Sequence, residues 1–258
     1  MTATVSYKYA APSALLQGRE GGELFLSEYS ETRKKQAECF FWGKLTQPFI
    51  VSRCLLALAK VVQSSYSLSA AQWAAIKDPI VTSGNQKLRF EGFSKCAGVY
   101  GRVDILPEGH DGEFIENGTT NVDFNAPMLA SLTNVRRDEP LVLSVGPKEV
   151  GVYHSGESVV ERKVPLPDKW IKGLTTVQIY QADAVCVHRF NRLQLLQLFR
   201  SVPKGEVKTD YYLVMRGTQP VFTPAKSAHA VCIGGLHRLR LLEPLLPYAD
   251  ELHVFAHP

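Results

Sequence analysis

The sequence predicts an α+β fold in which helices pack on antiparallel sheet, and three observations favour this class. Residues 46–63 carry apolar side chains at the three- and four-residue spacing of a helix. Residues 86–106 and 141–164 alternate apolar and polar side chains, which is typical of half-buried strands. A helix followed by strands then recurs, with strand-like runs at 211–215 and 220–223 after its second occurrence.

The composition sets the limits within which this fold has to be built. The chain has 258 residues, of which 45% are apolar and 21% charged, as in an ordinary globular protein of one large or two modest domains. No apolar run approaches the roughly 20 residues of a transmembrane helix, and the first residues lack the pattern of a signal peptide. We therefore expect a cytoplasmic protein with no membrane partner, and reduced thiols at its five cysteines.

The elements of the first part of the chain are predicted from caps, breakers and periodicity. Residues 1–45 are expected to be irregular with short strands, and the helix at 46–63 has Pro48 in its first turn. A short helix is predicted from Ser69 to Lys77, where Ser69 and Gln72 form a capping-box pattern. Two strands follow within 86–106, and a polar loop is expected between Pro107 and Gly118.

The elements of the second part are predicted in the same way. Asn125 is the expected N-cap of a helix with Pro127 in its first turn, and three strands follow within 141–164. A single-turn helix is predicted at 167–173, with a glycine at its end. A last helix is expected at 236–246, and a last strand at 252–255 closes the chain.

The helix beginning at Asn125 has a counterpart 66 residues later. Phe124 and Asn125 correspond to Phe190 and Asn191, and the leucines one and two turns into each helix correspond as well. We therefore divide the chain into an N-terminal part, 1–115, and a C-terminal part, 116–258, with a possible internal repeat near 124 and 190; the two parts could also pack as one unit. At the level of fold, helix-plus-strands units in series resemble the DNA sliding clamps.

The search for reactive chemistry yields no catalytic or metal-binding residue. The chain lacks a phosphate-binding GxxxxGK[ST] loop, a GxSxG nucleophile elbow, and the CxxC or HExxH spacings of metal sites. Cys186 and His188 lie two apart on a predicted strand, so both are expected on one face, but their valine neighbours indicate an ordinary strand. We therefore predict a binding component and not an enzyme.

Positive charge and one polar run provide the candidate contact residues. The net charge is only +4. The short basic clusters of the chain fit either a solvated surface or contacts to phosphate. The run at 119–123 fits either turn chemistry before a helix or a polar loop that touches a partner. The candidate contacts are Arg33, Lys34, Lys35, Thr119, Thr120, Asn121, Asp123, Arg136, Arg137, Arg162, Lys163, Lys169, Trp170, Arg238 and Arg240.

A series of segments, in this order, resembles the N-terminal region of bacterial SWIM-type zinc-finger proteins. The long segment VERKVPLPDKWIKG at 160–173 is the most specific of them. The shorter segments are YAAPS at 9–13, PIVTSG at 79–84, LRFE at 88–91, VYGRVD at 99–104, GTTNVDFN at 118–125 and LSVG at 143–146.

This resemblance implies that the chain binds a partner protein, and it assigns no catalytic or metal-binding residue. The family's CxC…CxH finger is absent, so no zinc ligand is assigned here, and zinc is expected only in a downstream finger. Such proteins are often encoded beside MoxR-type AAA+ ATPases and von Willebrand factor A-domain proteins. The resemblance therefore implies a non-enzymatic interaction module of such a system. The alternatives are a clamp-like nucleic-acid-binding scaffold and an enzyme with an unrecognised site.

Overall fold

The computed structural model describes the backbone of residues 14–18 and 21–25, and then residues 39–64, 79–166, 168–205, 207 and 209–257, without the side chains of residues 168 and 169. The predicted helix at 69–77 lies outside these residues. Contacts divide the chain into unit 1, Met1–Pro167, and unit 2, Asp168–Pro258, which are described separately below.

Unit 1 contains two described α-helices and eleven strands. The helices are α1 (Pro48–Gln63) and α2 (Ala126–Asn134), and a 3₁₀ turn spans Pro107–Gly109. The strands are β1 (Ala14–Gly18), β2 (Gly21–Phe25), β3 (Phe41–Leu45), β4 (Ile80–Gly84), β5 (Lys87–Phe93), β6 (Tyr100–Ile105), β7 (His110–Phe114), β8 (Gly118–Asn121), β9 (Val142–Val145), β10 (Glu149–His154) and β11 (Glu157–Arg162).

The strands of unit 1 show that it consists of two similar halves. Each half runs strand, helix and three strands: β3-α1-β4-β5-β6 in the first and β8-α2-β9-β10-β11 in the second. The first strand of each half joins the sheet of the other half, because β3 pairs with β9 and β8 pairs with β4. The sheet orders are β11-β10-β9-β3-β7 and β6-β5-β4-β8, with a separate β1-β2 hairpin, and all pairs are antiparallel. The two halves are thus interlocked.

Helix α1 forms where the sequence predicts it. It packs between α2 and the sheet that contains β5 and β6. Its N-terminal proline suits the first turn, and its inner side chains Leu55, Leu58 and Val62 are buried. The helix contacts β5, β6 and α2. Gly101 of β6 permits this close packing, because a Cβ there would lie 3.0 Å from a methyl carbon of Leu58.

The pairing of β3 with β7 depends on two glycines that face each other. Gly43 and Gly112 are direct partners, and a Cβ added to Gly43 would lie 2.3 Å from the Cα of Gly112. Beside them, Phe41 is fully buried and its ring packs against Phe114 at a centroid distance of 4.8 Å. A side chain on either glycine would therefore force the strands apart.

Unit 2 has a simpler set of elements. Its helices are α3 (Asp168–Asp183) and α4 (Arg192–Arg200), with a 3₁₀ helix at Leu236–Tyr248. Its strands are β12 (Val185–Asn191), β13 (Tyr211–Arg216), β14 (Gln219–Thr223), β15 (Val231–Ile233) and β16 (Glu251–Ala256). The core side chains are Phe190, Leu195, Leu198, Phe199, Val202, Leu213, Phe222 and Leu236.

Unit 2 repeats the interlocked pattern of unit 1 in a shortened form. The run β12-α4-β13-β14 resembles one half, and β15, the 3₁₀ helix and β16 resemble the start of a second half. The exchange of strands recurs, since β12 pairs with β16 and β13 pairs with β15. Among the described residues, β16 and β14 each pair along one edge only, whereas β9 and β5 of unit 1 pair along both.

Several sequence predictions were wrong about where an element or a unit begins and ends. The stretch 107–118, expected as a loop, contains the 3₁₀ turn and β7, because its backbone pairs with β3 despite polar side chains. The predicted single turn at 167–173 continues as the 16-residue α3. The units divide at Pro167 and not at residue 115, because the pairing of β8 with β4 joins residues on both sides of 115. No helix among the described residues has the length and apolar character needed to cross a membrane.

Candidate nucleic-acid contact surface

An aromatic ring between two arginines marks the junction of α1 and α2. The ring of Phe49, in the first turn of α1, has the guanidinium carbon of Arg53 4.5 Å from its centroid and that of Arg137 5.2 Å away. Arg53 also donates a hydrogen bond of 3.1 Å from Nη2 to the carbonyl of Thr133 in α2. Cation–π contacts of this length stabilise the arginines against the ring and place two positive charges close together.

Arg136, next to Arg137 in the sequence, adds a third positive charge. Its side chain is 63% exposed and its Nε lies 3.8 Å from Oε1 of Glu139. An exposed ion pair of this length contributes little energy, so Arg136 can exchange the carboxylate for a phosphate at small cost. We call Arg53, Arg136 and Arg137, together with Phe49, the arginine cluster. Two of its members, Arg136 and Arg137, are contacts that the sequence predicts, whereas Phe49 and Arg53 were missed.

The predicted polar run at 119–123 is a strand and not a surface loop. Thr120 and Asn121 in β8 are 1% and 5% exposed, so their side chains are not available to a partner. Asn121 donates a short hydrogen bond to the carbonyl of Val164, which links β8 to the end of β11. Thr119 is exposed and its hydroxyl lies 3.1 Å from that of Thr82 on β4. Asp123 is partly buried directly after the strand.

The basic residues at the end of β11 remain on the surface. Arg162 and Lys163 are exposed, while the Lys163 amide donates a 2.6 Å hydrogen bond to the carbonyl of Lys148. The backbone of Lys163 also bridges to Val122. This position is therefore fixed by the backbone, with both charged side chains accessible to a ligand.

Two candidate contacts in unit 2, Arg238 and Arg240, are held within the fold. The guanidinium of Arg240 donates to the carbonyls of Pro203 and Val202 at 2.6 Å each, and Nη1 lies 2.7 Å from Glu243. Arg240 thereby ties the 3₁₀ helix to the chain after α4, and Arg238 is only 8% exposed. Trp170 is likewise buried, at 1%. Arg33, Lys34, Lys35 and the side chain of Lys169 lie outside the described residues.

The pair Cys186 and His188 does not face one side of β12, contrary to the sequence prediction. Cys186 pairs with Phe255 of β16, but His188 pairs with Val254, because a bulge at Val187 shifts the register. Successive residues of a strand point to opposite faces, so the thiol and the imidazole do too. Nor do any three described His, Cys, Asp or Glu side chains gather as metal ligands would.

A charged network that the sequence reading missed covers one face of β5 and β6. Asp104 accepts hydrogen bonds from Arg89 at 2.8 and 3.2 Å and lies 3.3 Å from Arg102. The hydroxyl of Tyr100 donates a short hydrogen bond to Glu91. Burial, reinforced by this hydrogen bond, raises the pKa of Tyr100. The period-two spacing of these residues was the available signal, since alternate residues share a face.

Similarity to known proteins is found in structure and not in sequence. No family model matches the chain, and no curated protein matches it. The PCNA2–PCNA3 complex of Sulfolobus tokodaii matches at a TM-score of 0.56 and 8% identity, over 84% of this chain and 89% of that chain. Proliferating Cellular Nuclear Antigen of Entamoeba histolytica matches at 0.52 and 10%, over 85% and 90%. The DnaN sliding clamp (DNA polymerase III subunit beta) of Pseudomonas aeruginosa matches at 0.50 and 13%, over 84% of this chain and 60% of that chain.

The fold is that of the sliding clamps. This confirms the fold class and the likeness that the sequence predicts from its helix-plus-strands units. At 13% identity or less, the likeness concerns the path of the backbone and assigns no role to any residue. The contact residues of this clamp-like chain must therefore be argued from its own side chains, among which the arginine cluster offers the exposed positive charges of Arg136 and Arg137.

Proposed function

We propose that this chain is a non-enzymatic, clamp-like scaffold that contacts nucleic acid through the arginine cluster. The observation that carries the proposal is the packing of Arg53 and Arg137 on the ring of Phe49 at the junction of α1 and α2, with the exposed Arg136 next to Arg137 in the sequence. Guanidinium groups bind phosphate oxygens through charge-assisted hydrogen bonds, and arginine is over-represented where phosphate is recognised in this way. The sliding-clamp fold supports the proposal, since the Pseudomonas aeruginosa relative is named as a subunit of a DNA polymerase.

The contact is expected to be electrostatic and independent of sequence. If the cluster meets about three phosphates, the logarithm of the affinity for duplex DNA falls with the logarithm of salt at a slope of about −2.7. Between about 50 mM and 200 mM salt the affinity then drops roughly 40-fold. Fluorescence anisotropy with a labelled duplex of arbitrary sequence measures this slope directly.

The variant that tests the site is Arg136→Gln combined with Arg137→Gln, which removes two charges and keeps two polar side chains. We expect the slope to become shallower by about 1 for each arginine removed. The matched control is Arg216→Gln, which removes an exposed charge at the end of β13 in unit 2. An unchanged slope in the double variant, with a thermal midpoint close to that of the wild type, excludes this surface as the contact. Failure of the wild type to bind at the lowest salt excludes nucleic-acid contact altogether.

The partnership implied by the SWIM-type resemblance stays a prediction from the sequence. It comprises a protein partner of the MoxR-type AAA+ ATPase or von Willebrand factor A-domain class, a bacterial source, and zinc only in a downstream finger. A cytoplasmic location is proposed on the same sequence grounds. The geometry of the described residues favours the clamp-like scaffold, which the sequence reading held as its alternative.

A further inference from the structure

The outward face of the five-stranded sheet of unit 1 carries a row of residues that crosses all five strands. Phe41, Val145 and Val150 are buried on the inner face, so the residues that alternate with them point outward. Direct strand pairing aligns the outward residues in the order Val160, Gly151, Ser144, Trp42 and Glu113. The row therefore places an indole ring and a carboxylate side by side on β3 and β7.

Two aromatic rings cover the middle of this row. The ring centroids of Trp42 and Tyr153 are 5.1 Å apart, and both residues are half-buried. The ring of Tyr153 lies over Gly151, since a Cβ on this glycine would be 2.8 Å from Cε2 of the tyrosine. The tyrosine hydroxyl accepts a 3.4 Å hydrogen bond from Ser144. The tyrosine ring is thus held against the sheet beside Trp42.

Glu113 is the one unbalanced charge among the described residues of this face. In the neighbouring rows a basic residue lies opposite an acidic one, Lys44 opposite Asp111 and Arg162 opposite Glu149. Glu113 is exposed and lies opposite the indole, and cross-strand partners have Cβ atoms about 4.5–5.5 Å apart. A single side chain of a ligand can therefore touch both the ring and the carboxylate.

A guanidinium group fits both of these neighbours. Its plane stacks on an aromatic ring, and its edge forms paired hydrogen bonds with a carboxylate. An ammonium group lacks the planar fork, and Glu113 repels a phosphate. Charge complementarity therefore selects an arginine of a partner protein and disfavours nucleic acid on this face.

Val160, at the other end of the row, indicates what accompanies the arginine. It is 42% exposed and lies three strands away from Trp42. With a strand spacing of about 4.8 Å, this separation is about 14 Å. Four residues of extended chain span about 13 Å, and side chains four residues apart point the same way. An apolar side chain four residues from the arginine therefore reaches Val160.

We propose that this sheet face binds an extended segment of a partner protein that crosses the strands. The segment places an arginine on Trp42 and Glu113 and an apolar side chain, four residues away, on Val160. The site uses no residue of the arginine cluster, so it goes beyond the nucleic-acid contact.

The test is proton NMR of the blocked peptide GRSGSLG during titration with the full chain. A guanidinium stacked on an indole brings the δ-methylene protons of the arginine over the ring, whose ring current moves their signals upfield. We expect this upfield shift with the wild-type protein and its loss with Trp42→Leu. The variant Trp42→Phe keeps an aromatic face and is expected to retain a smaller shift.

Charge variants and peptide variants make the result specific. Glu113→Gln is expected to weaken binding roughly fivefold, because the guanidinium loses its carboxylate. Its matched control is Glu157→Gln, an exposed carboxylate elsewhere in the same sheet, which is expected to bind as the wild type does. The peptide GKSGSLG is expected to bind more weakly than GRSGSLG, and GQSGSLG not at all. Thermal midpoints show whether each variant is folded, and Glu113→Gln still tests the site if Trp42→Leu does not fold.

Four results would overturn the proposal. The first is an arginine signal that does not move in the presence of excess wild-type protein, and the second is equal binding of GQSGSLG. The third is a shift of the Trp42 indole signal with maltotetraose but not with the peptide, which means that the face binds carbohydrate. The fourth is a dimer that Glu113→Gln dissociates, which means that a second copy is the occupant.

The two proposals fail independently. The double variant Arg136→Gln with Arg137→Gln is expected to bind the peptide normally. Conversely, Glu113→Gln is expected to leave the salt slope of DNA binding unchanged.

Discussion

Asp104 illustrates how a single carboxylate can organise a sheet surface. Burial alone would raise the pKa of this carboxyl, but the Arg89 hydrogen bonds and the charges of Arg102 and Arg89 outweigh it, so the pKa lies below its ordinary value of 3.8. The pair Arg89 and Asp104 sits directly across β5 and β6, which is where an ion pair adds to strand pairing.

We expect Asp104→Asn to lower the free energy of unfolding by about 0.2–1 kcal/mol, the range for exposed ion pairs. A carboxyl with a lowered pKa stabilises the fold while it is ionised, so the loss is fully present above pH 3.8. The stabilisation fades as the pH falls through the lowered pKa. Urea unfolding of both proteins at neutral and acidic pH measures this difference. A gap between the two that persists at the acid end would contradict the assignment.

Arg238 and Arg240 show, at the residue scale, that the position of a basic residue in the sequence does not predict whether its side chain is free to bind a ligand. The sequence offers both as candidate contacts, because they form a short basic cluster that fits either a solvated surface or a contact to phosphate. The structure instead uses Arg240 to satisfy two backbone carbonyls after α4. Those carbonyls lie 37 and 38 residues away along the chain, so no local pattern could have indicated them.

At the scale of elements, the N-cap residues of α2 and α4 have nearly the same backbone angles, but their side chains form different hydrogen bonds. Asn125 and Asn191 have φ and ψ values of −70° and 170°, and −72° and 171°. Asn191 forms a capping box with Gln194, at 3.0 and 3.2 Å. The side-chain amide of Asn125 instead donates a 2.9 Å hydrogen bond to the carboxylate of Glu161 in β11. The sequence predicted that a helix begins at each of these two asparagines, and both helices do.

We expect Asn191→Ala and Asn125→Ala to be destabilising for different reasons. Loss of the capping box costs about 1 kcal/mol. Loss of the Asn125 donor leaves the buried Glu161 carboxylate short of a partner, which costs about 1–3 kcal/mol. Chemical unfolding monitored by circular dichroism ranks the two variants, and Asn125→Asp is the informative companion because it sets two carboxylates against each other. Equal losses for both alanine variants would contradict this distinction.

The remaining errors at this scale have identifiable causes. Helix α3 was predicted to end at Gly173, but a glycine inside a helix costs only about 1 kcal/mol and does not end it. Strand β7 has the polar sequence HDGEF, and it forms because its backbone pairs with β3 and its glycine fits against Gly43. The bulge in β12 depends on its pairing with β16, which no local pattern in β12 reveals.

At the scale of the molecule, interlocking makes the halves of unit 1 interdependent. The sequence division at residue 115 would leave β3 without β9 and β4 without β8. We expect a fragment of residues 1–115 to lack cooperative unfolding, because one sheet loses β9, β10 and β11 and the other loses its edge strand β8. A fragment of residues 1–167, which keeps every described strand of unit 1, is the matched control and is expected to unfold cooperatively. Cooperative melting of the shorter fragment, followed by circular dichroism, would contradict the interlocked description.

The fold class could be predicted because it follows from local signals. Apolar periodicity defined α1, alternation defined β5, β9 and β10, and the recurring Phe-Asn step indicated repeated units. The pairing of β3 with β9 could not be predicted, since it joins Phe41 to Val145 across more than half of unit 1. The arginine cluster could not be predicted for the same reason, because Phe49 and Arg137 come into contact only after α1 packs on α2.

The interlocking of unit 1 has a consequence for biosynthesis. Strand β3 leaves the ribosome early, yet its partner β9 is translated only after the rest of the first half and α2 have emerged. Until then β3 can pair with β7, but its other edge lacks β9, and contacts this distant in sequence form slowly because the intervening loop must first close. We therefore expect nascent chains of this protein to leave one edge of β3 exposed until β9 is made, which favours aggregation during that interval.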